Sequence, residues 1–125
     1  RYMVVDNEAG LEHISRGTLP HVDTMLLISD CSRRGIQAVG RIAEMIRELD
    51  LKPGVMKLIV NRAPEGKLNP GVMEEINKFG LELAGVLPQD ETVYQYDCEG
   101  KPSSQVPDTA PVKMALAAVM RELNL

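Results

Sequence analysis

Asp23-Thr24-Met25-Leu26-Leu27-Ile28-Ser29-Asp30 runs from a charged residue into a continuous apolar stretch and back to polar residues. An unbroken run of this length suits a strand buried on both faces, whereas a half-exposed strand would alternate. Over 32–50, Ile36, Val39, Ala43, Ile46 and Leu49 recur three and four residues apart, giving a helix one apolar stripe, and Ser32 is placed to cap its start. Lys52-Pro53-Gly54 stops that helix. A further run over 56–60, apolar except for Lys57, then ends at Asn61-Arg62. Apolar strand, amphipathic helix and apolar strand predict a parallel pair joined by a crossover.

The same alternation extends both ways. Downstream, Asn69-Pro70 opens a helix carrying Val72, Ile76 and Phe79, and Gly80 ends it. A strand over 83–87 is closed by Pro88, and Asp90 caps a short helix reaching about residue 96. The polar stretch 99–108, with Pro102, Ser103, Ser104 and Pro107, reads as a surface loop. A last helix over 111–123 places Val112, Leu116, Val119 and Leu123 on one face. Upstream, residues 2–5 form a short apolar run followed by Asp6-Asn7-Glu8-Ala9-Gly10, and 11–16 can form a short helix stopped by Gly17. The prediction is a three-layer α/β/α, Rossmann-like fold with a mostly parallel sheet covered on both faces.

Composition narrows the function. The 125 residues suffice for one small domain, and 44% hydrophobic content is that of a globular chain. Aromatics make up only 3%, so aliphatic side chains must build the core. The net charge is −4 and the basic clusters are pairs such as Arg33-Arg34, which argues against non-specific nucleic-acid binding. No apolar run approaches the roughly 20 residues of a membrane-spanning helix. Cys31 and Cys98 lie far apart, so reduced thiols in a cytoplasmic protein are expected. Two thiolates are also too few for a closed zinc site.

In an open parallel sheet, ligands bind beyond the carboxyl ends of the strands. Here those ends are Asp6-Asn7-Glu8, Asp30, Asn61-Arg62 and Pro88-Gln89-Asp90, and the topology should bring them to one rim. An apolar strand ending in Asp6, with Gly10 shortly after, has the Walker B arrangement. The acid can hold Mg²⁺ through water, and the glycine lets an N–H approach a terminal phosphate. Taken alone, an Asp at a strand end is usually a turn former.

The motifs in order are more specific. Val4-Val5-Asp6-Asn7-Glu8-Ala9-Gly10-Leu11-Glu12-His13 resembles the switch II segment of the MinD/ParA group of P-loop ATPases. Leu58-Ile59-Val60-Asn61-Arg62 is similar to that group's adenine-recognition strand. Gly85-Val86-Leu87-Pro88-Gln89-Asp90-Glu91-Thr92-Val93 is similar to its next base-contacting loop, and Glu99-Gly100-Lys101-Pro102 to its Gly-x-Pro segment. Within the group, residues 6–13 and Ser32-Arg33-Arg34-Gly35-Ile36 most resemble the nickel-insertion accessory ATPases of carbon monoxide dehydrogenase, the CooC type.

The resemblance implies ATP or ADP with Mg²⁺ as ligands. Asp6 would hold the metal through water and Gly10 would meet the γ-phosphate. Asn61, Arg62, Pro88 and Asp90 would lie around the base. It also implies a nucleotide-dependent homodimer serving a nickel enzyme such as carbon monoxide dehydrogenase. The Gly-rich Walker A loop is absent, as are the paired cysteines expected before Tyr2. Residues 1–125 are therefore expected to be the C-terminal portion of one ATPase domain, inactive alone, with the nickel ligands elsewhere. His13 is read as a solvated loop residue, Cys31 as a small apolar side chain and Cys98 as no ligand. The alternatives are a partition or iron-protein-like ATPase, or a non-catalytic flavodoxin-like interaction domain.

Overall fold

The computed structural model describes residues 4, 22–48 and 53–124. Three strands, β1 (Thr24–Ser29), β2 (Val55–Ala63) and β3 (Leu83–Pro88), form a sheet in the order β1-β2-β3. Both pairings are parallel, with Thr24 opposite Val55 and Val60 opposite Val86. The helices between and after them are α1 (Arg33–Glu48), α2 (Pro70–Lys78), α3 (Glu91–Glu99) and α4 (Pro111–Glu122). The expected neighbours at 24–28, 56–60 and 83–87 are thus parallel and adjacent, as continuous apolar strands separated by helices require. The expected strand over 2–5 and helix over 11–16 lie outside the described residues.

Strand parity divides the core into two layers. Leu27, Leu58 and Val60 meet Ile36, Val39, Ala43 and Ile46 of α1 and Val72 and Ile76 of α2. On the opposite face Ile59 and Leu87 meet Val119 of α4, with Leu26 and Ala84 packed alongside. Helices on both sides of a parallel sheet make the three-layer fold.

Four details differ from the sequence reading. β2 continues past residue 60 through Asn61-Arg62 to Ala63, because a bulge carries the strand on. α3 runs on to Glu99, where Gly100 ends it in the left-handed conformation at φ 71°. The polar stretch after it holds a 3₁₀ turn, Ser103–Gln105. Leu116 does not share the buried face of α4 and is 38% exposed, since the stripe against the sheet runs through Val112, Ala115, Val119 and Leu123. Coverage of the sheet is also incomplete among the described residues, where Ile28 on β1 is 54% exposed.

Candidate functional site

The turn from β1 into α1 is a chain of hydrogen bonds. Asp30 Oδ1 accepts the Ser32 N–H at 3.0 Å and the Ser32 hydroxyl at 2.6 Å. Ser32 Oγ accepts the Gly35 N–H at 3.0 Å, which is the expected cap of α1. A Cβ on Gly35 would fall 2.2 Å from Asp30 Oδ1 and 2.6 Å from Ser29 Oγ, so a side chain there would have to displace the Asp30 carboxylate and the Ser29 hydroxyl. The Ser32 hydroxyl, then its N–H, then the charge of Arg62 hold the Asp30 carboxyl below its usual range.

The end of β2 is bulged. From Val60 to Ala63 the strand takes three steps while β3 takes two from Val86 to Pro88. The extra residue is absorbed at Arg62, whose φ is +58°, uncommon for a non-glycine residue. Asn61 Oδ1 accepts the Arg62 N–H at 2.9 Å, and the Cys31 thiol donates to the Arg62 carbonyl at 3.4 Å. Cys31 therefore ties the end of β1 to the end of β2, which a small apolar side chain would not do.

The end of β3 is tied in turn to β2. The Gln89 N–H donates to the Ala63 carbonyl at 2.9 Å. Asp90 Oδ1 accepts the Thr92 N–H at 2.8 Å, capping α3, and Oδ2 accepts the Val112 N–H at 3.1 Å in the first turn of α4. The Val112 bond, followed by those from Thr92, outweighs desolvation and lowers the Asp90 pKa.

The structure thus brings Asp30, Asn61, Arg62, Pro88 and Asp90 to one rim through contacts between successive strand ends. Asp6 and Gly10, and with them the proposed Mg²⁺ and γ-phosphate contacts, lie outside the described residues, as does His13. Asn61 suits a purine edge, because its NH₂ group donates and Oδ1 keeps a second lone pair beyond the Arg62 bond. Asp90 has spent one bond from each oxygen on backbone amides.

Two features escaped the sequence reading. Glu75 of α2 is buried, and its Oε1 receives Arg33 Nη2 at 3.1 Å, linking α2 to the start of α1. The Arg33 bond and the charge of Lys78 lower the Glu75 pKa against its burial. The spacing of Glu75 beside Ile76 on an apolar face was the available signal. A pocket of about 170 Å³ lies at the opposite end of the strands, between Leu27, Met56, Leu58 and Leu81, away from the rim. Among the described residues no group of three or more His, Cys, Asp or Glu side chains is arranged to hold a metal, and no helix is long and apolar enough to cross a membrane.

Comparison with solved structures agrees with this architecture. A ParA family ATPase from Chlorobium tepidum superposes with a TM-score of 0.69 at 20% identity, over 92% of this chain and 46% of that one. The MinD cell division protein of Aquifex aeolicus gives 0.64 at 20% identity, over 82% and 44%. In sequence, an uncharacterized ATP-binding protein of Methanocaldococcus jannaschii is 36% identical over 115 residues, 89% of this chain and 44% of its own length. The carbon monoxide dehydrogenase accessory protein CooC of Rhodospirillum rubrum is 26% identical over 98 residues, 78% of this chain and 36% of its own. No protein-family profile matches the chain. The fold is that of the MinD and ParA family ATPases. In sequence the chain is related to ATP-binding proteins, and more distantly to CooC. It spans less than half the length of these curated relatives.

Proposed function

We propose that residues 1–125 are the C-terminal portion of a MinD/ParA-type ATPase domain and form the adenine side of its ATP site. The observation that carries this reading is the single rim on which the bulged Asn61-Arg62 end of β2 stands beside the Pro88 end of β3. Relatedness to ATP-binding proteins supports it, as does the order of motifs along the chain. In this reading Asn61 hydrogen-bonds the base, and Arg62 and Pro88 shape its surroundings. Asp6 would hold Mg²⁺ through water and Gly10 would meet the γ-phosphate. A Walker A loop in the preceding part of that domain would supply the amides and the lysine on which phosphoryl transfer depends. The bound Mg²⁺ would neutralise charge on the phosphates. Distant similarity to CooC supports a finer reading: a cytoplasmic, dimeric accessory ATPase that helps deliver nickel, as cargo, to an enzyme such as carbon monoxide dehydrogenase.

Calorimetry and turnover on the full product of the gene and on residues 1–125 test this. The full product should bind ATP with Mg²⁺ and hydrolyse it, and the shorter chain should do neither. Asn61→Ala in the full product should weaken ATP binding and lower the preference for adenine over guanine by about tenfold or more, because a site built to pair a base penalises its loss. Persistent turnover by purified 1–125, or no ATP binding by the full product, would overturn the assignment.

A further inference from the structure

Asp90 stands at the end of β3, where the resemblance implied a contact with the base. Its geometry indicates different work. Oδ1 caps α3, the helix that Asp90 itself opens, through Thr92 at 2.8 Å. Oδ2 reaches 22 residues along the chain to the Val112 N–H at 3.1 Å. That second bond fills a gap, since the N-cap residue of α4 is Ala110, which makes no side-chain cap. The first turn of a helix leaves its N–H groups without intrahelical partners, and a carboxylate there also meets the positive end of the helix dipole.

We infer that Asp90 is a positioning residue: its carboxylate pins the Pro88 rim to the first turns of both α3 and α4 and so fixes the backbone that faces the base. The inference rests on reading this rim as the adenine side of an ATP site. Its mechanical basis does not. α3 buries no residue and cannot by itself hold the rim. α4, in contrast, is seated on the sheet, where Val119 packs with Ile59 and Leu87. On its other side the rim is joined to β2 by the Gln89 N–H to Ala63 carbonyl bond of 2.9 Å. Pro88 is therefore followed directly by two clamps, Gln89 to β2 and Asp90 to α4, and the Asp90–Val112 bond is the second.

Variants of the full gene product separate positioning from direct contact. Asp90→Ser keeps an oxygen to cap α3 but offers nothing to Val112. Val112→Pro leaves the Asp90 carboxylate intact and removes the N–H it holds. Val112→Ala trims the same side chain and keeps the N–H. Affinities for ATP and GTP, measured by calorimetry, are the readout. Asp90→Ser and Val112→Pro should each weaken ATP binding about tenfold and lower the adenine preference in parallel. Val112→Ala should stay within about twofold of wild type. Loss of preference in Asp90→Ser with wild-type preference in Val112→Pro would show that the carboxylate touches the base, and the inference would fall. Wild-type preference in both would also overturn it. If Val112→Pro does not fold, Asp90→Glu decides: a longer arm that misplaces the rim should lose preference, and retained preference would overturn positioning. A wild-type product without adenine preference would instead reject the ATP-site reading itself.

Discussion

Asp30 and Asp90 serve two strand ends in the same way, each accepting backbone N–H groups at the start of a helix. Such bonds favour the ionised form, and both pKa values are lowered. A depressed folded-state value means that the unfolded chain binds protons first. The stabilisation is therefore complete above the ordinary carboxylate range, about pH 4, and is lost as pH falls through the folded values. Glu75, lowered chiefly by Arg33, has the same sign. Urea midpoints followed by circular dichroism should thus show no loss from these groups between pH 7 and 5, then a decline below about pH 4. Asp90→Asn should flatten part of that decline, and an unchanged acid limb would remove Asp90 from the linkage. Residues at this scale were unevenly legible. Asn61 and Pro88 could be placed because each follows an apolar run, and strand ends in a parallel sheet converge. The partner of Asp90 could not, since Val112 lies 22 residues away across α3 and a 3₁₀ turn. Neither the left-handed Arg62 nor the Cys31 thiol on its carbonyl has a local sequence signal.

Elements were more legible than their faces. The stripe Ile36, Val39, Ala43 and Ile46 is buried as its three- and four-residue spacing requires. In α4 the same spacing included Leu116, yet the helix is rolled so that Val119 meets the sheet and Leu116 does not. The cause is on β3: a Cβ on Gly85 would come 2.2 Å from Val119 Cγ2, so the helix settles where the strand has no side chain. Spacing within one helix carries no information about a glycine on its neighbour. Gly85→Ala should consequently destabilise by about 1–3 kcal/mol, the usual range for overpacking, although alanine is ordinarily no burden in a strand. Leu116→Gln should stay within about 0.5 kcal/mol, as exposed substitutions do. Chemical denaturation of the three proteins measures both, and a larger loss for Leu116→Gln than for Gly85→Ala would contradict the observed roll of α4.

At the scale of the whole molecule, the order β1-β2-β3 was legible because largely apolar strands joined by helices leave little choice but adjacent parallel pairing. What covers the far side of β1 was not. Among the described residues β1 pairs only with β2, leaving a row of backbone N–H and C=O groups on its other edge. Ile28 on that strand is 54% exposed, and Met114 on α4 is 60% exposed. Edges of this kind are templates for pairing with another chain, and exposed apolar side chains add to the attraction. If the chain is the C-terminal portion of a larger domain, as proposed above, the natural occupant is the preceding part of that domain. Residues 1–125 purified alone should then associate with rising concentration, and sedimentation velocity should find species heavier than the 13.8 kDa monomer. Ile28→Lys should shift the distribution back toward monomer, since a charge on an edge strand opposes pairing. Adding the upstream portion as a separate polypeptide should replace self-association with a one-to-one complex. A monomer at every concentration would show instead that the edge is already covered from within the chain, and the segment before Thr24 would be the part able to cover it.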